Sequence, residues 1–273
     1  MQALSSTSSL VLLWAQDNCY KSKIAKDYLN LLDLDGGKDL LNRCEKICPY
    51  YGEVIKNRKF GVFDLISKCL SERINIKQVV IAGAGLDALG LEITEFYPQV
   101  SVFELDLENM KIKSGLLSKI NDKLRPNLSF INVDLLDSSK VYSALIENGW
   151  IQSESTLLIL EGISYYLPVK SIKKLIEDIN PDRTIFEFLK RNNEIDNIHA
   201  EIAEKVFDLI SIFCNCPNIV RYDQNKIKDS LDINILTEYE MNQLEKMRTG
   251  INRYFHSGKN GWIKVCLLSK MNS

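Results

Sequence analysis

Three short apolar runs in this sequence end in acidic residues. Val100 to Asp106 carries Glu104 and Asp106, Leu128 to Val133 is followed by Asp134-Leu135, and Thr156 to Leu160 by Glu161-Gly162. A fourth run, Val79 to Ala82, ends in Gly83-Ala84-Gly85. Glycines at such a turn let the backbone bend tightly and approach a ligand without a Cβ collision, although they can also be purely structural. Glu104 and Asp106 are two residues apart, so both project from one face of a strand. Asp106 lies 23 residues beyond Gly83, near the ~20-residue offset at which an acid grips ribose hydroxyls. A carboxylate accepts both protons of a vicinal diol. A solvated strand end is the alternative, but acids are rare on buried parallel strands. Asp134 could receive an adenine amino group while Leu135 packs on the ring, or it could cap the next helix. Glu161 closes a fully apolar run, where a carboxylate needs a cationic or donor partner; a sulfonium and its ammonium group would provide one.

The elements that must position these groups alternate regularly. Each apolar run reads as a buried strand, and each is followed by a helical pattern. Asp87 to Tyr97 carries Leu89, Ile93 and Phe96 and is stopped by Pro98. The next helix shows Leu116, Leu117, Ile120 and Leu124, and Asp137 or Ser138 can cap a third that ends near Gly149. Pro168 suits the first turn of a fourth, with Ile172, Leu175, Ile176 and Ile179 on one face, and Arg183 to Leu189 is a fifth strand. Strand and helix alternating at this spacing mean βαβ units, hence an α/β fold with a parallel sheet covered on both faces. In such sheets ligands bind outside the carboxyl ends of the strands. Residues up to 76 read as helices and loops, with Leu10 to Trp14 in the first helix. That segment is too short to span a bilayer and lacks the basic lead-in of a secretory signal. Beyond 190 the pattern predicts an amphipathic helix over 192–216, a Thr237-x-x-Glu240 capping box and a last strand from Trp262 to Leu268.

Composition narrows the function classes. The 273 residues are 45% hydrophobic and 26% charged, enough for a large core under an ordinary surface. With 34 basic and 36 acidic residues the formal charge is −2, and no basic block marks a nucleic-acid binder. No membrane span is read. Seven cysteines, an odd number partly within apolar patterns, read as free thiols of a reducing, cytoplasmic compartment. Cys44/Cys48 and Cys214/Cys216 lack zinc-knuckle spacing and have only His199 and His256 to help, so no metal site is predicted.

Taken together, Val80-Ile81-Ala82-Gly83-Ala84-Gly85-Leu86-Asp87, Phe103-Glu104-Leu105-Asp106, Val133-Asp134-Leu135 and Leu160-Glu161-Gly162-x-x-x-Tyr166-Leu167 resemble the leucine carboxyl methyltransferase family, which includes bacterial O-methyltransferases of polyketide-type acids. The similarity runs from about residue 50 to 190. It implies a Rossmann-like, doubly wound, seven-stranded and mostly parallel sheet in one methyltransferase domain. Residues 1–76 would form a helical cap and 77–190 the cofactor-binding core. A helical insertion with lid helices and the last strands would occupy 191–273. The resemblance further implies S-adenosyl-L-methionine as cofactor. Arg58, in Asn57-Arg58-Lys59-Phe60, matches the family arginine that holds the methionine carboxylate. Gly83 would contact the methionine end, Asp106 the ribose, and Asp134 with Leu135 the adenine, with Gly85 and Glu104 counted among the cofactor-binding residues. Glu161 would face the cofactor amino group or the substrate. Protein-directed members carry a basic residue in the first helix, where this chain has Leu12-Leu13-Trp14.

Methyl transfer from a sulfonium to an oxyanion cancels opposite charges, so a dry, aligning site suffices and no protein nucleophile is required. A carboxylate acceptor, with a pKa of about 4, needs no general base; an alcohol would. Candidate bases are few: His256 near the last strand and His199 on a helix, each of which also fits a surface or packing role, and Tyr166, which with Tyr165 follows Glu161 and can line the pocket or join the core. This scarcity favours methyl-ester formation on a small-molecule acid over hydroxyl methylation. Three other readings stand beside it: a protein C-terminal carboxyl methyltransferase, a nicotinamide-dependent oxidoreductase, because Gly83-x-Gly85-x-x-Ala88 also satisfies the dinucleotide fingerprint, and a non-enzymatic protein that retains the cofactor fold.

Overall fold

The computed structural model describes residues 6–16, 19–71, 75–120 and 126–271. Four helices precede the first strand: α1 (Ser6–Ala15), α2 (Lys23–Leu29), α3 (Lys38–Ile47) and α4 (Tyr51–Ser71). Strands and helices then alternate as β1 (Gln78–Ala82), α5 (Leu89–Phe96), β2 (Ser101–Asp106), α6 (Met110–Leu117), β3 (Leu128–Asn132), α7 (Ser138–Glu147), β4 (Thr156–Leu160), α8 (Val169–Ile179) and β5 (Arg183–Leu189). The remainder is α9 (Asn197–Phe213), α10 (Ile227–Leu231), β6 (Ile233–Glu240), α11 (Met241–Thr249) and β7 (Ile263–Lys270).

The seven strands form one sheet in the order β3-β2-β1-β4-β5-β7-β6. β1 to β5 are parallel, while β7 runs antiparallel to both β5 and β6. This is the doubly wound, mostly parallel α/β architecture. The order reverses between β1 and β4, and the chain leaves their carboxyl ends in opposite directions, opening a crevice there. Strands β1 and β4 are buried on both faces. Val79, Ile81, Leu157 and Ile159 pack into one core, whereas Val80, Leu158 and Leu160 pack into the other. Apolar residues at consecutive positions, Val79 to Ala82 and Leu157 to Leu160, are what a sheet covered on both sides demands.

The four N-terminal helices join the first of these cores. Leu10, Leu12 and Trp14 of α1 are buried. The Trp14 indole nitrogen donates to Glu45 at 3.0 Å, and its ring lies 5.0 Å from that of Tyr51. Thus α1 docks on α3 and α4 through an apolar stripe with one satisfied polar tip. The described helices include none long and apolar enough to cross a membrane.

Several details differ from the sequence reading. Thr237 starts no helix: it lies within β6, and the capping box before α11 is formed by Glu240 and Gln243. Pairing with β7, from Ile233 with Lys270 to Glu240 with Lys264, carries that segment as a strand and overrides the local cap signal. The helix expected over 192–216 is shorter, a single 3-10 turn at Asn192–Glu194 followed by α9. Asp196 interrupts the two by accepting from the His199 backbone at 3.1 Å, which makes it the cap of α9. Pro168 is the N-cap residue of α8, not part of its first turn. The last strand begins at Ile263 and extends to Lys270. Leu124 lies outside the described residues.

Candidate functional site

At the end of β1 the chain must turn sharply. Gly83 and Gly85 take φ values of +73° and +53°, which side-chain-bearing residues rarely adopt. The Gly83 and Ala84 amides both donate to the Leu105 carbonyl, at 2.8 and 2.9 Å. A Cβ on Gly83 would stand 2.8 Å from Ile163 Cγ1, whereas one on Gly85 would meet nothing within 4 Å. The turn is therefore pinned on one side and open on the other.

Beneath it lies a cavity of about 160 Å³ whose lining includes Arg58, Lys59, Asp87, Glu104, Glu161 and Tyr166. Thr7, Ser8, Val11 and Leu12 of α1 form its roof. Arg58 and Lys59 come from the middle of α4. Arg58 Nε donates to Glu161 Oε1 at 3.1 Å and Nη1 to the Tyr165 hydroxyl at 3.1 Å. Burial opposes its charge, but Tyr165, Glu161 and Glu187 around it hold the guanidinium firmly protonated. Lys59 lies 2.9 Å from the same Glu161 oxygen and also pairs with Asp87. Burial pushes the Asp87 carboxyl up, and the Lys59 ammonium more than reverses this, so its pKa is lowered.

Glu104 and Lys113 form a second ion pair, at 2.5 Å, in which neither side chain is exposed to solvent. The Gly90 amide donates to Glu104 Oε1 at 3.1 Å, and Lys113 also donates to the Asp87 carbonyl. Burial nevertheless keeps the Glu104 pKa above its ordinary value. A buried charge is tolerated when paired and hydrogen-bonded, and this one anchors α5 and α6 to β2.

The predicted residues divide into two groups. Arg58, Gly83, Gly85, Glu104, Glu161 and Tyr166 line the cavity together. Asp106 does not line it, but its Oδ2 accepts from the Gly85 amide at 3.0 Å, so it borders the open side of the turn. Its Oδ1 organises the following loop through Glu108 and Asn109. Asp134 is exposed beyond β3 and accepts from the Leu136 amide at 2.9 Å. The cap of α7 is instead Asp137, which accepts from Lys140. Leu135 is buried. The Val133 amide donates to the Asp106 carbonyl at 2.9 Å, so Asp134 and Leu135 follow directly along the same sheet edge. The structure does not bring His256 to the site: it is exposed in the loop before β7. His199 is engaged by Asp196, at 2.8 Å.

Three contributors escaped the sequence reading: Lys59, Asp87 and Glu187. Glu187 is fully buried near the end of β5, where Oε2 accepts from the Gly162 amide at 2.6 Å and Oε1 has no partner. Burial pushes its carboxyl up to about 7, against the pull of Arg58. An acid inside the apolar run Thr184-Ile185-Phe186-Glu187-Phe188 carries the same signal that picked out Glu104.

Residues 41–180 fit the model of the leucine carboxyl methyltransferase family. The chain belongs to this family. The matched span carries α4, the glycine turn and Glu161, and leaves β5 to β7 outside it. A Mycolicibacterium paratuberculosis protein named as an S-adenosyl-L-methionine-dependent methyltransferase is 29% identical over 133 residues, covering 46% of this chain and 42% of that one. Bacillus subtilis YktD, named likewise, is 29% identical over 107 residues, covering 39% and 34%. The chain thus spans about four-tenths or less of the curated relatives it matches. Among solved structures, a DUF574 family protein from Streptomyces avermitilis superposes with a TM-score of 0.69 at 12% identity, over 94% of this chain and 99% of that one. A Thermobifida fusca protein described as a methyltransferase gives 0.66 at 15%, over 94% and 98%. At these identities the likeness is one of fold, so this member of the leucine carboxyl methyltransferase family shares the α/β framework of both.

Proposed function

We propose that this chain is an S-adenosyl-L-methionine-dependent methyltransferase that esterifies a carboxylate of a small organic acid. One observation carries the reading: Arg58 of α4 meets Glu161, at the end of β4, beside the open glycine turn, in the crevice where the strand order reverses.

The residues fit that cofactor. The cavity of about 160 Å³ is smaller than the roughly 300–1,000 Å³ that encloses a drug-sized ligand. It suits one end of an extended molecule, with the remainder lying along the sheet edge past Gly85. The enclosed end is rich in paired charge, as a zwitterionic amino-acid moiety requires. Arg58 would hold its carboxylate through the planar fork, and Glu161 its ammonium. Asp106, on the open side of Gly85, would accept from the ribose hydroxyls, and Leu135 would pack on the adenine with Asp134 at its amino edge. When bound, the cofactor supplies a methyl group on a positively charged sulfur.

The chain's own contribution is orientation and exclusion of water. Burial of Arg58 and Lys59 under α1 keeps the charged end dry, and alignment of two reactants is worth roughly 7–11 kcal/mol. A carboxylate acceptor arrives ionised and needs no base, which matches a cavity whose lining phenols, Tyr165 and Tyr166, are both held protonated by burial. The free cysteines support action in a reducing cytoplasm. The test is a methyl-transfer screen with labelled donor against small acids and their alcohol analogues, read by mass spectrometry. Base-labile methyl esters and stoichiometric S-adenosylhomocysteine are expected. Methylation of the alcohols alone would overturn the acceptor assignment.

A further inference from the structure

A second cavity, of about 440 Å³, opens on the other side of α4. It meets the first at Lys59, which lines both. Its wall is one helix face, with Lys56, Phe60, Phe63 and Ser67 at helical spacing, joined by Lys21 and Arg248. The size falls within the roughly 300–1,000 Å³ of small-molecule sites.

The charge around it does not balance. Lys21, Lys56, Lys59 and Arg248 face only two acids, Asp64 and Glu92. Both acids are engaged elsewhere: Glu92 accepts from the Lys21 and Ser22 amides at 2.6 and 2.8 Å, and Asp64 holds Lys68 and the Tyr239 hydroxyl, each at 2.8 Å. A single carboxylate outside the lining, Glu53, serves both Lys56 (3.0 Å) and Arg248. Lys59 is matched by Asp87 and Glu161, so the surplus is the single positive charge left by Lys21, Lys56 and Arg248 against Glu53 and Glu92, and it lies beside the half-buried rings of Phe60 and Phe63.

We propose that this cavity binds the methyl acceptor, and that the acceptor is an organic acid with two anionic groups joined by an apolar or aromatic body. One anionic group is anchored by Lys21, Lys56 and Arg248, the body lies on Phe60 and Phe63, and the second carboxylate reaches the Lys59 wall shared with the first cavity. There a carboxylate oxygen forms the new O–CH₃ bond while the S–CH₃ bond breaks, its electron pair staying on sulfur; no proton moves. The proposal rests on the methyl-transfer reading and names its substrate class.

The experiment is calorimetric titration of the full chain with 1,4-phenylenediacetate and with the monoacid 4-methylphenylacetate, each with and without S-adenosylhomocysteine. The diacid is expected to bind roughly tenfold more tightly, the difference one charge-assisted contact makes. Lys21→Glu, at an exposed position, and Lys56→Gln should both erase that preference and leave S-adenosylhomocysteine binding unchanged. Equal binding of the two acids, no binding of either, or a preference that survives both variants overturns the proposal. Failure of S-adenosylhomocysteine to bind would instead refute the methyl-transfer reading, since the preference for the diacid is read without it.

Discussion

Replacing Arg58 with methionine will remove measurable S-adenosylhomocysteine binding and destabilise the fold by about 3–5 kcal/mol. The side chain is 3% exposed and is shared between Glu161 and Tyr165. Its loss leaves Glu161 with Lys59, and Glu187 without the cation that most offsets its burial. Breaking a buried ion pair is costly because the surviving charge stays desolvated. The binding loss has a separate origin, in the two-pronged contact that a guanidinium makes with a carboxylate. Arg58→Lys separates the two effects. It keeps the charge, so most of the stability should survive, but a point-charge ammonium cannot reproduce the fork, and affinity should fall by roughly tenfold or more. Denaturant unfolding and calorimetry on the three proteins provide the check. A methionine variant that unfolds and binds like the parent would show that Arg58 is a bystander.

The second large effect is a pH dependence centred on Glu187. Its carboxyl is pushed up to about 7 from an ordinary 4.5 by burial, so the folded state favours the protonated form. Between those two values the folded chain binds more proton than the unfolded chain, and stability therefore falls as pH rises. The contribution is fully present below about pH 4.5 and is lost as pH passes 7; at 1.36 kcal/mol per unit it is on the order of 3 kcal/mol. In Glu187→Gln the amide oxygen can still accept from Gly162, and this slope should vanish. Unfolding free energies for both proteins at pH 5, 6, 7 and 8 give the comparison, and the difference between the two should change by that amount. Parallel curves would mean that Glu187 stays ionised throughout.

The sheet was legible because buried parallel strands write themselves as unbroken apolar runs. β4 and β5 begin and end where their residues predict, and β1, β2 and β3 do so within one residue. The tail was less legible. Thr237 and Glu240 carry a helix-start signal that pairing with β7 overrides, and no local pattern reports a partner some 30 residues away. The site divides the same way. Residues that bend the chain or end a strand announce themselves by type and position, which is why Arg58, the glycine turn and Glu161 come together. Partnerships across the fold do not. Glu104 reads as a ligand-facing acid beside Asp106, yet in three dimensions its carboxylate is held by Lys113 and Gly90. Lys59 stands next to Arg58 in sequence, but its role depends on Asp87 and Glu161 arriving from two different strand ends. His256 shows the converse: a chemically capable residue near the last strand that the loop leaves exposed.

A crystal structure of the chain grown with S-adenosylhomocysteine tests directly whether the cofactor sits in this crevice. The amino-acid end is expected in the cavity against Arg58 and Glu161, the sulfur beside the Gly83–Gly85 turn, and the ribose hydroxyls on Asp106. Density for the ligand away from that crevice, or an amino-acid end that leaves the Arg58–Glu161 pair untouched, would contradict it.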